Sequence, residues 1–273
     1  MKNNIKNDKF QTILSLQNPL IKKIKNLSKK NNEKSEQQFM SEGNFFLKEA
    51  INSNWNISYI IYNIEKKDRF LNEDFYRYLI KNKTNVIFVN AKILKHLSQK
   101  DNPQDFLFTA IKKKFLAPKI LSGNHFSLAL ENIRDPGNLG NIFRTMNAFG
   151  ITYCFLIGDC VNPYSLEVNR ASMGALFNLK FVRFSQDKFL NWINKNDINL
   201  YGTSLETKES HLNFDWKFPL TIAMGNEQKG LSKTLKANCK NLIKIITKER
   251  MKSLNVSVAT ALMINEVNRK NPI

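Results

Sequence analysis

Short apolar runs alternate with helical patterns along most of the chain, and this alternation constrains the fold more than any other feature. In the second half, the apolar runs predict strands at 125–132, 152–158, 179–184, 198–204, 219–225 and 242–246. The segments between them have helical patterns, and strands that alternate with helices usually pair in parallel. The second half is therefore predicted to be a Rossmann-like α/β domain with a parallel sheet of about six strands.

The first half predicts a smaller α/β domain, also with a mainly parallel sheet. Its strands are predicted at 39–40, 57–62, 85–89 and 106–111, and its helices at 45–53, 71–80 and 91–99. Residues 1–10 are polar and are expected to be frayed. Segment 112–124 is rich in lysine, contains a proline and a glycine and has no periodicity, which predicts a linker. These features place an N-terminal domain at 1–115 and a C-terminal domain at 120–273.

Basic residues greatly outnumber acidic ones, with 42 Lys and Arg against 23 Asp and Glu and a net charge of +19. This excess favours a polyanionic partner, above all a nucleic acid. A composition rich in Lys, Asn, Ile and Phe explains part of it without any function. One predicted helix begins at Pro19 and places Leu20, Ile24 and Leu27 on one face, with five lysines elsewhere. Those lysines form either a solvated face or a face that contacts RNA.

The few cysteines and histidines exclude several classes of protein. Cys154, Cys160 and Cys239 are widely spaced and form no Cys-x-x-Cys pair, which indicates a reducing compartment and argues against a disulfide framework or a zinc cluster. The three histidines are isolated from other ligand-type residues, so no metal is expected. The sequence shows neither the apolar core of a signal peptide nor an apolar run of membrane-spanning length. A soluble, cytoplasmic, metal-free protein is predicted.

Three polar loops follow predicted strands, at the edge where open α/β sheets bind their ligands. The first runs from Glu131 to Gly140, and its glycines are expected to allow a tight turn. Asn138 is either a functional side chain or the N-cap of the following helix. Arg144 lies six residues further on and, if both residues are helical, is expected on nearly the same side as Asn138. The alternative is a surface arginine.

The second loop, from Gly225 to Ser232, has glycines at the spacing of a phosphate-binding loop but lacks the chemistry of one. Leu231 stands where such a loop needs lysine, and Glu227 would repel phosphate. No G-x-G-x-x-G dinucleotide pattern occurs anywhere in the chain. These features argue against an NTPase or a nucleotide-dependent oxidoreductase, and the loop suits a ligand other than a polyphosphate, for example a cation.

The third loop leads from the last predicted strand into a long apolar helix. It passes through the basic segment TKERMK and reaches Ser253 and Asn255, which are both favourable N-caps. Val258 and Leu262 add apolar surface on a second side of that helix. A helix that is apolar on several sides packs in a core or against a second subunit. For this stretch alone, a well-capped core helix explains the pattern.

The three loops together resemble a known family. The segments ENIRDPGNLGNIFRTMNAFG, NRASMGALF, IAMGNEQKGLS and IKIITKERMKSLNVSVATALMINEV resemble, in that order, the motifs of the SpoU-type (TrmH-like) RNA ribose 2′-O-methyltransferases. This resemblance spans 125–268. In the first half, SLQNPLIKKIKNL and FMSEGNFFLKEAI look like the ribosomal-protein-like RNA-recognition domain that is common in this family.

The resemblance implies a C-terminal domain with a deep trefoil knot that holds S-adenosylmethionine, and a homodimer formed through that domain. On matching positions, it implies these catalytic residues: Asn138, Arg144, Glu227, Ser253 and Asn255. It also implies these donor-binding residues: Thr203, Gly225, Asn226, Gly230, Ile245 and Leu254. The chain departs from the family pattern at Ile246, where a proline is common, and in the loop TKERMK, which is more charged than usual.

The implied reaction is an in-line transfer of a methyl group from a sulfonium to a ribose hydroxyl, which needs no metal and no protein nucleophile. Arg144 is then expected either to remove the hydroxyl proton or to stabilise the developing alkoxide. Glu227 is expected to orient Arg144 or a neighbouring amide. Structured RNA is the expected substrate, with ribosomal RNA favoured over transfer RNA. The alternative is a non-catalytic RNA-binding or ribosome-assembly protein, which would have no need to retain these five residues.

Overall fold

A computed structural model of the protein describes residues 10–28, 37–119, 123–212, 214–248 and 253–271. The chain forms two compact units. The first comprises Met1–Lys113 with Tyr164–Leu166, and the second comprises Lys114–Pro163 with Glu167–Ile273. The frayed segment predicted at 1–10 lies, except for Phe10, outside the described residues. So do residues 249–252 of the basic loop TKERMK.

The first unit is an α/β unit with one five-stranded sheet. Its strands are β1 (Phe10–Ile13), β2 (Gln38–Glu42), β3 (Ile57–Asn63), β4 (Asn85–Val89) and β5 (Phe106–Ile111). Its helices are α1 (Pro19–Asn26), α2 (Asn44–Asn52), α3 (Lys67–Phe70), α4 (Tyr76–Lys81) and α5 (Ala91–Ser98). Helix α1 begins where Asn18 accepts a hydrogen bond from the Leu20 N–H and a proline occupies the first helical position.

The sheet of the first unit is mixed, so the prediction of a mainly parallel sheet is wrong here. Its order is β1-β4-β3-β5-β2; the β1–β4 and β4–β3 pairs are parallel, whereas the β3–β5 and β5–β2 pairs are antiparallel. Alternation of strands and helices does not determine the order of strands in a sheet, and this order places β5 between two strands that run against it. Of the helix predicted at 71–80, only the second half is helical, in α4, and the short helix α3 ends before the predicted range begins.

The second unit has a six-stranded sheet in which every strand pair is parallel, which confirms the Rossmann-like prediction. Its strands are β6 (Phe126–Glu131), β7 (Tyr153–Ile157), β8 (Lys180–Phe184), β9 (Asn199–Thr203), β10 (Leu220–Met224) and β11 (Asn241–Ile243). The helices that follow β5 are α6 (Pro136–Ala148), α7 (Leu166–Ala171), α8 (Gln186–Lys195), α9 (Lys233–Asn238) and α10 (Val256–Lys270). The trefoil knot implied by the resemblance stays a prediction.

The order of this sheet, β11-β9-β10-β6-β7-β8, brings together loops that are far apart in sequence. From β6 the chain moves outward to β7 and β8, then returns to the opposite side of β6 to form β9, β10 and β11. The strands β11, β9, β10 and β6 are therefore neighbours, and their carboxyl ends lie along the same edge. Such a reversal of strand order is where open α/β sheets bind ligands.

The start of α6 differs from the tight glycine turn that the sequence predicts. Asp135 caps the helix, and Pro136 occupies its first position, so the glycines at 137 and 140 are helical. A Cβ atom on Gly140 would lie only 2.4 Å from the Cβ of Ala171, and the glycine therefore permits close packing between helix α6 and Ala171. Asn138 is not the N-cap, which leaves its side chain available for other contacts.

The predicted linker at 112–124 is packed in its described part. Phe115 lies edge-on to Phe181, with ring centroids 5.6 Å apart, and Trp192 donates a hydrogen bond to the Pro118 carbonyl (3.1 Å). Residues 120–122 lie outside the described residues. Within the described part of the chain, no helix is both long and apolar enough to cross a membrane.

Candidate active site

The three polar loops predicted from the sequence meet at one edge of the second sheet. They follow β6, β10 and β11, and β10 pairs directly with β6. Parallel neighbours end on the same edge, so Asn138 in α6, Glu227 after β10 and Asn255 before α10 are brought close together, although Glu227 and Asn255 lie 89 and 117 residues from Asn138 in sequence.

A chain of hydrogen bonds between side chains joins these loops. The Asn138 amide nitrogen donates to Glu227 Oε1 (2.9 Å), and the Asn138 amide oxygen accepts from Asn255 Nδ2 (2.9 Å). The other oxygen of Glu227 accepts from Asn226 Nδ2 (3.1 Å). Both ends of the Asn138 amide are thus engaged, and the residue is 9% exposed. We call these four residues the amide network.

Helix caps explain why the members of the amide network point at one another. Asp135 accepts a hydrogen bond from the backbone N–H of Asn138 (2.7 Å), which holds Asn138 in the first turn of α6. Asn255 is the N-cap of α10, and its Oδ1 accepts from the backbone N–H of Ser257 (2.9 Å). Because its oxygen is occupied by this cap, the Asn255 amide nitrogen is directed to Asn138.

The loop after β10 is closed tightly on itself. Asn226 and Gly230 exchange two backbone hydrogen bonds, of 3.2 and 2.9 Å. A Cβ atom on Gly225 would lie 2.1 Å from the carbonyl carbon of Gly230, so only glycine allows the two backbones to approach this closely. The loop therefore holds Glu227 in place through its backbone geometry. A tight loop that presents a carboxylate is not a phosphate-binding loop, as its sequence also indicates.

A cavity of about 330 Å³ lies between the ends of β9, β10 and β11. The structure places all six predicted donor-binding residues on its wall, and Glu227 and Ser253 line it as well. Apolar side chains of Ile243, Val256 and Ala259 add to the lining. Its volume lies in the usual range for small-molecule sites.

The loop after β10 also borders a larger, open depression of about 690 Å³. The end of β6 contributes Asn132, Arg134 and Asp135 to its wall, and the loop itself contributes Glu227 and Lys229. These linings are mainly polar and charged. Glu227 therefore borders both a partly apolar cavity and a polar surface depression.

Arg144 is not part of the amide network. Six helical residues turn the chain through about 600°, which is about 120° short of two full turns, so the expectation that Arg144 lies on the same side as Asn138 is wrong. Its side chain is exposed and makes no hydrogen bond or ion pair with another described residue. Glu227 orients amide groups, as one of the two expectations proposed, and does not contact Arg144 in this chain.

Two residues that support the site are absent from the sequence-based prediction. Glu131, the last residue of β6, is 3% exposed and accepts a hydrogen bond from the Ser232 N–H (2.7 Å), which ties β6 to the start of α9. Asn132 has a positive φ of 56°, and its carbonyl accepts from Asn226 Nδ2 (3.0 Å). A carboxylate at the end of an otherwise apolar strand is the signal that could have identified Glu131.

Comparison with known proteins gives a family match in each half of the chain. Residues 125–265 match the SpoU rRNA Methylase family, and residues 18–107 match the MRM3-like substrate binding domain. An uncharacterized tRNA/rRNA methyltransferase of Synechocystis is 27% identical over 95% of this chain and 94% of its own length. The 23S rRNA (guanosine-2′-O-)-methyltransferase RlmB of Coxiella burnetii is 28% identical over 62% of this chain and 66% of its own length.

A solved structure is similar over nearly the whole chain. It is the AdoMet-bound rRNA methyltransferase from Sinorhizobium meliloti, with 29% identity and a TM-score of 0.87 over 97% of this chain and 100% of that one. The resemblance seen in the three loops is thus confirmed by a family match that covers more than half of the residues. The chain belongs to the SpoU rRNA methylase family.

Proposed function

We propose that the protein is an RNA ribose 2′-O-methyltransferase that uses S-adenosylmethionine and acts on structured RNA, ribosomal rather than transfer RNA. The observation that carries this proposal is the amide network, which joins three distant loops beside a cavity of small-molecule size. The names of the Coxiella relative and of the Sinorhizobium structure support the reaction and the donor.

The smaller cavity fits S-adenosylmethionine in its chemistry. Ile243, Ile245 and Leu254 offer apolar surface to a heterocyclic ring, while the ends of β9 and β10 offer backbone groups. Glu227 suits a cationic ligand, and no lysine is placed as a phosphate-binding loop requires. When bound, this donor supplies a methyl group that is activated on a sulfonium sulfur.

The residues of this chain contribute mainly position and charge. Asn138, held at both ends of its amide, keeps the loops after β6, β10 and β11 in one arrangement. Alignment of reacting groups lowers barriers by about 7–11 kcal/mol in favourable cases. We assign Arg144 to the stabilisation of negative charge on the ribose oxygen, because an exposed guanidinium remains charged, while water or an RNA phosphate takes the proton.

The proposal includes a homodimer formed through the second unit and the trefoil knot of the family. On α10, Val258 is 50% exposed and Leu262 is 39% exposed, and Leu254, 37% exposed, lies just before the helix. Adjacent exposed apolar side chains on one helix favour burial against another surface. A second copy of the chain would cover them.

Methyl transfer to defined RNAs tests the proposal. The protein would be incubated with S-adenosylmethionine that carries a labelled methyl group and with ribosomal or transfer RNA transcribed in vitro, which lacks modifications. We expect label in ribosomal RNA, and little label when Asn138 is replaced by alanine. RNA binding without any transfer from a bound donor would favour the non-catalytic alternative.

A further inference from the structure

Helices α1 and α5 pack side by side on one face of the first sheet. Ile21 and Ile24 of α1 and Ile93, Leu94 and Leu97 of α5 are buried in the same aliphatic core cluster. The Lys25 ammonium group donates a hydrogen bond to the backbone carbonyl of His96, which joins the two helices directly. Their outer surfaces therefore form one continuous face, which we call the α1/α5 face.

The α1/α5 face is basic, and the residues that the structure describes provide little compensating negative charge. The two helices contain five lysines and no acidic residue. Lys22, Lys23 and Lys92 are exposed and make no ion pair with another described residue, and Lys95 pairs only with the exposed Asp101 (3.1 Å). The basic character of this face is therefore not neutralised by the residues of the first unit that the structure describes.

The opposite face of the same sheet is different. Phe70 of α3 and Phe75, just before α4, pack on aromatic residues of β3, β4 and β5. These aromatic residues alternate along the strands with the aliphatic residues beneath α1 and α5. From Asn44 to Lys81, five acidic residues accompany six basic ones. Ion pairs such as Lys48–Asp74 and Arg69–Glu73 connect them. This segment is thus nearly balanced in charge, whereas helices α1 and α5 carry only positive charge.

We propose that the α1/α5 face binds the phosphate backbone of the RNA substrate. The inference rests on the proposed function, which supplies an RNA partner, and it locates where the first unit holds that RNA. Lysine ammonium groups are compact charges that bind phosphates without reading the base sequence. A lysine face that was merely solvated would not require both of its helices to lack acidic residues.

A pair of matched variants tests this assignment in the full-length protein. Lys22→Gln with Lys92→Gln removes two charges from the α1/α5 face, one from each helix. Arg77→Gln with Lys81→Gln removes two charges from α4 on the other face. None of these four side chains makes a hydrogen bond or ion pair with another described residue, so neither variant should unfold the protein. Equal affinity for S-adenosylmethionine in all three proteins checks that the second unit is intact.

The readout is the affinity for a labelled large-subunit ribosomal RNA transcript, measured by filter binding from 50 to 200 mM salt. Each lysine–phosphate contact adds about one to the slope of log Kd against log salt. We therefore expect the slope to fall by about two in the Lys22/Lys92 variant, with Kd weakened about tenfold at low salt, and to change little in the Arg77/Lys81 variant.

Equal binding by the two variants would overturn the assignment, whether both are weakened or neither is. A face that served an acidic protein or an anionic membrane would produce that result. If the unaltered protein methylates RNA and the variants still bind alike, only the location of the RNA is wrong. If the unaltered protein neither binds nor methylates RNA, the proposed function is wrong, and the assignment of the α1/α5 face to RNA is wrong as well.

Discussion

The hydrogen bond between Asn138 and Glu227 can be tested by placing a second negative charge opposite Glu227. Asn138→Asp keeps the shape of the side chain but replaces the donating amide nitrogen with a carboxylate oxygen, 2.9 Å from Glu227 Oε1. The bond from Asn255 to the retained oxygen survives. The substitution therefore removes one hydrogen bond and adds a like-charge contact, while the rest of the site is unchanged.

The size of the effect follows from the distance. Two unit charges 2.9 Å apart repel by about 6 kcal/mol at an effective dielectric constant of 20 and by about 1.4 kcal/mol in bulk water. Because Glu227 is exposed, we take the lower part of this range, about 1–3 kcal/mol. The lost hydrogen bond adds about 1 kcal/mol. A total of about 3 kcal/mol corresponds to a loss of about 100-fold in the rate of methyl transfer.

The charge repulsion makes this loss dependent on pH. When the pair of carboxylates takes up one proton, the protonated group can donate a hydrogen bond to the other. Repulsion of this size raises the pH at which that proton binds by about one to two units relative to an isolated carboxyl group. Transfer by Asn138→Asp, relative to the unaltered protein at each pH, should therefore recover as the pH falls from about 7 to about 5. Asn138→Ala should be impaired at every pH, because it has no carboxylate to protonate.

A second substitution should rescue the first. In Asn138→Asp with Glu227→Gln, the amide nitrogen introduced by the second substitution can donate to the carboxylate introduced by the first, and the amide oxygen can still accept from Asn226. We expect transfer at pH 8 to return to within about fivefold of the unaltered protein, a coupling of about 2 kcal/mol. If the double variant is no better than Asn138→Asp, and pH has no effect, the hydrogen bond does not contribute as described.

Four further changes test other parts of the site and fold. Arg144→Ala should reduce transfer to background and leave the Kd for S-adenosylmethionine within about twofold by calorimetry; a much weaker Kd would make Arg144 a donor-binding residue. Val258→Asp with Leu262→Asp should give a monomer by light scattering, since a dimer would bury both carboxylates; a dimer that persists contradicts the proposed interface. Gly225→Ala should abolish donor binding, because its Cβ would lie 2.1 Å from the Gly230 carbonyl carbon; unchanged binding would refute this geometry. Burial lowers the pKa of His211 from 6.5, so below pH 6.5 the unfolded chain holds more protons and urea should unfold the protein more easily; His211→Gln should weaken that pH dependence, and an unchanged dependence would assign it to other groups.

The layout of the second unit follows from the sequence because several local signals agree. The strands are largely apolar, the helices α6, α8, α9 and α10 are capped or amphipathic, and the six predicted strands all occur within a few residues of their predicted bounds. In contrast, the sheet of the first unit could not be derived in this way. Strand β5 lies between β3 and β2 because of how side chains pack on both faces of the sheet. The sequence around Phe106 contains no local pattern that predicts which strands lie beside β5.

The residues of the site were identified by resemblance, but their contacts could not be. Spacing in the sequence does not place Asn138 beside Glu227 or Asn255, because these contacts depend on β10 lying next to β6 in the sheet. The start of α6 at Asp135 could have been predicted from the sequence, because an aspartate followed by a proline is a typical helix start. With that start, Asn138 falls in the first turn and Arg144 falls on another side of α6.

The central claim is that the protein places a methyl group on a ribose oxygen. Its most direct test is to incubate unmodified ribosomal RNA with the protein and labelled S-adenosylmethionine, digest the RNA and identify the labelled nucleoside by mass spectrometry. We expect the label in a single 2′-O-methylated nucleoside. A label on a base would contradict the proposed reaction although the family assignment would stand, and no label despite bound donor and bound RNA would contradict the claim that this chain alone is a methyltransferase.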